Sequence, residues 1–240
     1  MHITTNGSLA MKRRELLFRA VAVVTAVVAN RTTHGEEEGL LPKTTRRDGV
    51  RKVLTQGQEE ILKAVFDRLI PGDELGPSAS GAGCLDFLDG QLAGGYGEGS
   101  TIYRDGPVQP HEEQMLQKAQ FISTPRERYY FGLKALEAYS LKTDGASFAD
   151  LQSDRQDEIL RGMETGKIEL GEDVNTKGFF ELMLTNAREG YFADPCYGGN
   201  KDMAGWKMIG FPGARYDYRA YTERTGQELN LVNVSLILKG

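Results

Sequence analysis

Side chains able to do chemistry are unevenly spread along this chain. Three carboxylates, Glu189, Asp194 and Asp202, flank the run Asp194-Pro195-Cys196-Tyr197-Gly198-Gly199-Asn200-Lys201-Asp202-Met203-Ala204-Gly205-Trp206-Lys207, which continues through Ile209-Gly210-Phe211-Pro212-Gly213-Ala214. Two carboxylates in unlike surroundings are the minimal equipment for acid–base hydrolysis. The run itself holds no histidine and no nucleophile–base pair. His2 and His34 precede the expected globular part, and His111 stands alone beside Pro110. A Ser-His-Asp triad, a Cys-His dyad or a histidine-based metal set therefore has nothing to build on. With 34 Asp and Glu in the chain, such clusters arise by chance, and capping or solvation accounts for most of them.

Two further patterns invite a chemical reading. Gly94-Gly95-Tyr96-Gly97-Glu98-Gly99 suggests a phosphate cradle, but it has neither the dinucleotide nor the P-loop spacing, and it reads as a flexible or partner-shaped loop. The cysteines are Cys84 and Cys196. They can pair in an oxidising compartment, or Cys84 can sit as a buried free thiol on a helix face. No Cys-x-x-Cys spacing exists, so the chain is expected to carry no haem c and no iron–sulfur cluster of its own.

The elements that must position these groups read as helices. Thr55-x-x-Gln58 is a capping box, followed at helical spacing by Ile61, Leu62, Val65, Phe66, Leu69 and Ile70, with Pro71-Gly72 as the stop. Cys84, Leu85, Leu88 and Leu92 share one face of a second helix. Gly94 to Pro110 reads as a long glycine-rich connection. Thr124-Pro125-Arg126-Glu127 opens a third helix with Tyr129, Tyr130, Leu133, Leu136 and Tyr139 as its apolar stripe. Ser153-x-x-Gln156 opens a short one through Ile159, Leu160 and Met163. Asn175 or Thr176 caps the last, with Phe179, Phe180, Met183, Leu184 and Ala187 inward and Gly190 as its stop. Leu229–Leu238 alternates only partly, and no repeat is present. The expected fold is mostly α: about five helices in one compact domain, joined by long loops rich in glycine, proline and aromatics.

The N-terminus bears on location. Lys12-Arg13-Arg14-Glu15-Leu16-Leu17 presents a twin-arginine pair before the apolar run Ala20–Ala29, and Val27-Val28-Ala29 offers a cleavage site before Asn30. A basic region, a short apolar stretch and small residues describe an export signal, here of the twin-arginine kind that carries folded proteins. The apolar run is shorter than the ~20 residues a spanning helix needs. Met11 is an alternative start. Residues 1–29 are thus read as the signal, 30–54 as a polar, flexible linker, and 55–240 as the globular part. Residues 1–29 carry four basic groups against Glu15, a net of +3, so a chain of −5 leaves −8 for the remainder. An acidic export product is not built to bind nucleic acid or an anionic membrane surface.

Tyr191, Phe192, Tyr197, Trp206, Phe211, Tyr216, Tyr218 and Tyr221 crowd one region, either as a core for the loops or as an interface surface. The leader, the helix end Phe66-Asp67-Arg68-Leu69-Ile70-Pro71-Gly72 and the block from Arg188-Glu189-Gly190-Tyr191-Phe192 to Ala214 together resemble the gluconate 2-dehydrogenase subunit 3 family. Those proteins are the small (gamma) subunits of periplasmic, membrane-associated sugar and polyol dehydrogenases. The resemblance implies a chain without catalytic, cofactor-binding or metal residues of its own. It would accompany a large FAD-containing subunit that lacks an export signal, and a multihaem cytochrome c subunit often takes the electrons onward. Arg13 and Arg14 would be read by the twin-arginine (Tat) translocase. Tyr197, Trp206 and Phe211 would anchor the partner, on a loop shaped by Gly198, Gly199 and Asn200, and Cys84–Cys196 would staple that loop to the helices. The competing expectation is a stand-alone periplasmic hydrolase using Glu189 and Asp202.

Overall fold

In a computed structural model, the described residues are 51–100, 102 and 123–236, all within a unit spanning Lys43–Gly240. The signal with Arg13 and Arg14, most of the linker, and His2, His34 and His111 lie outside them. The described part is mostly helical. Its α-helices are α1 (Gln56–Leu69), α2 (Cys84–Leu92), α3 (Gly95–Glu98), α4 (Pro125–Asp144), α5 (Ser153–Thr165), α6 (Thr176–Phe192) and α7 (Ala204–Ile209). Five are long, as the apolar spacing predicts, and α3 and α7 are short turns.

Both capping boxes form. Thr55 accepts from Gln58 N while the Gln58 side chain returns to Thr55 N, and Thr124 and Glu127 do the same, with Pro125 in the first turn of α4. Each box satisfies two amides that the helix start leaves without partners. At α6 the cap is Asn175, which accepts from Gly178 N at 2.7 Å; Thr176 instead accepts from Leu170 N at 2.9 Å. The expected box at Ser153 does not form. Gln152 is the N-cap residue of α5, and Gln156 turns inward to donate to Phe148 O at 2.9 Å. A buried amide there serves the turn at 148–150 better than the helix start.

The core is organised around α6, which packs most extensively on α2, then on α5, and also on α1, α4 and α7. Phe179, Met183, Ala187 and Tyr191 are buried on it, facing Phe66, Leu88, Leu133, Ile159 and others of the same core. Burying each such large side chain is worth about 1.5–3 kcal/mol. Tyr129 meets Phe179 edge-on, with centroids 5.8 Å apart. Tyr130, expected in the apolar stripe of α4, is 53% exposed and pairs edge-on with Phe131. The stripe runs through Tyr129, Gly132, Leu133 and Leu136 instead.

Gly190 does not end α6. The helix continues to Phe192, and Gly190 is buried where a Cβ would press on Cys84 and Phe87 at 3.1–3.2 Å. It is a packing glycine that lets α2 and α6 close on each other. The glycines of 94–99 also have a packing role. Gly95–Glu98 is a helical turn, and a Cβ on Gly97 would lie 2.0 Å from Leu92 O. Among the described residues, the partial alternation near the C-terminus yields one isolated parallel bridge, Gly213 with Val234.

The start of order also differs from the expectation. Residues 51–54, assigned to the linker by composition, are docked on α2. The Asp89 carboxylate, 5% exposed, accepts from Lys52 N, Val53 N and Leu54 N at 2.7–3.0 Å. Arg51 forms ion pairs with Glu59 and Asp86.

Candidate functional site

The chain from Asp194 to Ala214 is a loop system built by backbone geometry that few residues tolerate. Asp194 caps a short 3₁₀ turn by accepting from Cys196 N at 3.0 Å. Gly198 then takes φ +99°, and Gly199 passes so close to α6 that a Cβ would sit 2.1 Å from Gly190 O. Asn200, Asp202 and Met203 all have left-handed backbones, with φ of 47°, 56° and 56°. Such conformations cost about 1 kcal/mol or more for residues other than glycine and persist only when the surroundings hold them.

Asn200 does much of that holding. It is fully buried; its N–H donates to Gly190 O, its Nδ2 to Ala193 O, and its Oδ1 accepts from Gly205 N, all at 2.8–2.9 Å. Lys201 N donates to Ala82 O at 2.9 Å, tying the loop to the start of α2. Trp206, 5% exposed, donates through Nε1 to Phe192 O at 2.8 Å, and the ring of Phe211 meets it edge-on at 5.2 Å. Of the expected anchors, then, Trp206 is interior to the loop, as are Gly199 and Asn200, which were expected to shape it. Tyr197 is half-buried, and Gly198 and Phe211 are exposed, Phe211 by 43%.

The cysteines are both free. Cys84 is buried with its Sγ toward Ala187 O at 3.6 Å. Burial pushes its thiol up to about 12, and burial together with the Asp194 carboxylate does the same to Cys196. Both are therefore thiols at neutral pH. In this structure the loop is tied to the helices by the hydrogen bonds of Asn200 and Lys201.

The candidate catalytic carboxylates lie in different surroundings. Glu189 accepts from Asn186 Nδ2 at 2.9 Å, and surrounding protein pushes its carboxyl upward against that bond. Asn186 is the centre of a buried junction, accepting from Tyr129 OH at 2.9 Å and donating to Tyr96 OH at 3.0 Å. Burial raises both phenols, so they stay neutral and serve to fasten α3 and α4 to α6. Asp202 is exposed. Among the described residues no three His, Cys, Asp or Glu are grouped to hold a metal, and no helix is long and apolar enough to cross a membrane.

Asp194, 8% exposed, has a role that spacing did not reveal. Besides Cys196 N it accepts from Ser235 Oγ and from Leu236 N at 2.8 Å. Burial pushes its carboxyl upward, but these donors outweigh burial and leave it below its ordinary 3.8. The sign follows: stability from this group is complete above the unfolded value and disappears as pH falls through the lower folded one. The stability difference between wild type and Asp194→Asn is therefore expected to be constant above about pH 5 and to shrink below the ordinary carboxylate value. Urea unfolding of both proteins across that range checks it; a difference that grows on acidification would contradict it.

The helix-end motif is likewise structural. Asp67 accepts from Ser80 N and Oγ at 2.9 and 2.7 Å, and Arg68 forks onto Asp157 of α5 with two bonds of 2.7 Å. In the Arg188–Phe192 block, Tyr191 is fully buried and donates to Pro77 O at 2.9 Å.

The described body is helical and packed around α6, and Asp67, Arg68, Asp89, Asp194 and Asn200 are engaged in holding its loops and helices together. The family model for gluconate 2-dehydrogenase subunit 3 matches residues 56–213, which takes in the five long helices and the loop system. The chain belongs to that family. No curated protein and no solved structure matches it.

Proposed function

We propose that this chain is the non-catalytic small subunit of a membrane-associated, FAD-dependent dehydrogenase for gluconate or a related sugar or polyol. In this reading it escorts the large flavoprotein through twin-arginine export and stabilises it in the periplasm. Membership of a family defined as a dehydrogenase subunit is the observation that carries the reading. FAD belongs to the large subunit and haem c to a cytochrome subunit where one is present. Arg13 and Arg14 engage the Tat translocase, and Tyr197, Gly198 and Phe211, the expected contacts that reach the surface, face the flavoprotein. The hydrolase reading on Glu189 and Asp202 has less support, because Glu189 is tied to Asn186 while Asp202 is exposed.

The test is expression with the genomic neighbours, followed by fractionation. A flavin-absorbing protein is expected to co-purify from the periplasmic and membrane fractions. Changing Arg13 and Arg14 both to Lys should hold the pair in the cytoplasm. A chain exported alone, without flavin, would sink the proposal.

A further inference from the structure

We infer that Asp194 and the backbone of Phe211–Ala214 form an acceptor for an extended chain segment, and that residues 232–236 occupy it as an exchangeable strap. After Ala214 the chain leaves the body for an excursion whose regular structure is one short 3₁₀ run, Arg219–Arg224, and in which Tyr216 is 96% exposed. On its return it lies parallel to the loop. Val234 N donates to Pro212 O at 3.1 Å, Ala214 N donates to Val234 O at 2.7 Å, and the Asn233 side chain donates to Phe211 O. Asp194 then takes the Ser235 hydroxyl and the Leu236 amide.

The strap is held by polar groups and little else. Val232 is 77% exposed and Leu236 51%, so apolar burial contributes little to its docking. Main-chain pairing with a few side-chain determinants is the way a sheet edge captures an extended peptide. The acceptor is shaped for such an approach. Gly213 has φ +84°, and a Cβ there would lie 2.1 Å from Val234 O, so only a bare backbone admits the strap at this distance.

The family match ends at 213. Asp194 and Phe211–Gly213 lie within it, and the strap lies outside. Most of the acceptor therefore lies within the matched body, while Ala214 and the strap follow it. The ligand class follows from the resident segment: an extended peptide offering an amide, a hydroxyl and a second amide in the order Val234, Ser235, Leu236. Nothing in this inference depends on the escort role.

The test keeps the whole chain. A protease site is inserted between Gly226 and Gln227, in the exposed excursion, and the folded protein is nicked. A labelled, end-blocked peptide of residues 229–236 is then added. Nicked protein should bind it at least about tenfold better than intact protein, and Asp194→Asn should remove that binding. Equal uptake by nicked and intact protein would overturn the inference, as would loss of the fragment without uptake while circular dichroism is unchanged. Hydrogen exchange on the unnicked chain gives a second reading. In Asp194→Asn the acceleration at the amides of Ala214, Val234 and Leu236 should exceed that at α1 and α6, which follows the change in global stability, by at least about tenfold. Equal acceleration of all of them would mean that the segment opens only with the whole fold, and would overturn it too.

Discussion

Trp206→Ala is expected to destabilise the protein by about 3–5 kcal/mol, the usual cost of emptying a buried aromatic site. At roughly 2–4 °C per kcal/mol for a domain of this size, the melting temperature should fall by about 6–20 °C. The substitution removes a side chain that is 5% exposed, leaves Phe192 O without its indole donor and takes away the ring against which Phe211 rests. Trp206→Phe keeps most of the volume and loses the hydrogen bond, for about 1–2 kcal/mol. Phe211→Ala, at a half-exposed site, should cost about 1 kcal/mol or less. Thermal melts followed by circular dichroism separate the three. The contrast also distinguishes holding the loop from touching a partner. Flavoprotein association should follow stability in the Trp206 variants and fall independently of stability in Phe211→Ala. A Trp206→Ala protein that melts with wild type would refute the interior role.

Asp89→Ala should cost about 2–4 kcal/mol, because it strips three amides of a charged acceptor near the core. The loss is expected to be local as well as global. Amides of residues 52–54 should lose hydrogen-exchange protection first, since the carboxylate that fixes them has gone. Asp89→Asn, which keeps one carbonyl acceptor, should fall between. Unchanged protection at 52–54 in Asp89→Ala would show that Leu54 and Arg51 hold the segment without it.

How much of this was legible in the sequence depended on how far each signal reaches. Thr55-x-x-Gln58 and Thr124-x-x-Glu127 act within one helical turn, and both work as read. The apolar faces of the five long helices were legible for the same reason: periodicity is local. Gly190 was misread because a glycine that ends a helix and one that lets two helices touch are the same letter, and only Cys84 and Phe87 across the gap distinguish them. Gln156 was misread because its amide serves Phe148, outside its own helix.

The site was harder still. Asp89 and Asp194 act on amides 35 and 42 residues away, a distance no motif encodes. A signal did exist for Asp89, the one charged residue among the apolar positions on the buried face of α2. Trp206 was open to two readings, a core for the loops or a partner anchor, which its type and position do not separate. In the structure it is 5% exposed, enclosed by the loop that the glycines let approach.

The closest partnership in the core, between α2 and α6, also sets a schedule for synthesis. Leu85, Leu88 and Leu92 are made about 100 residues before Tyr191, which completes the surface that covers them. At ~5–20 residues per second that gap lasts roughly 5–20 s. During it the part of α2 that packs on α6 emerges without that cover, with α1 and α3 as its earlier-made neighbours. The nascent chain is therefore most exposed to aggregation, and most in need of a chaperone, before residue 192 clears the ribosome.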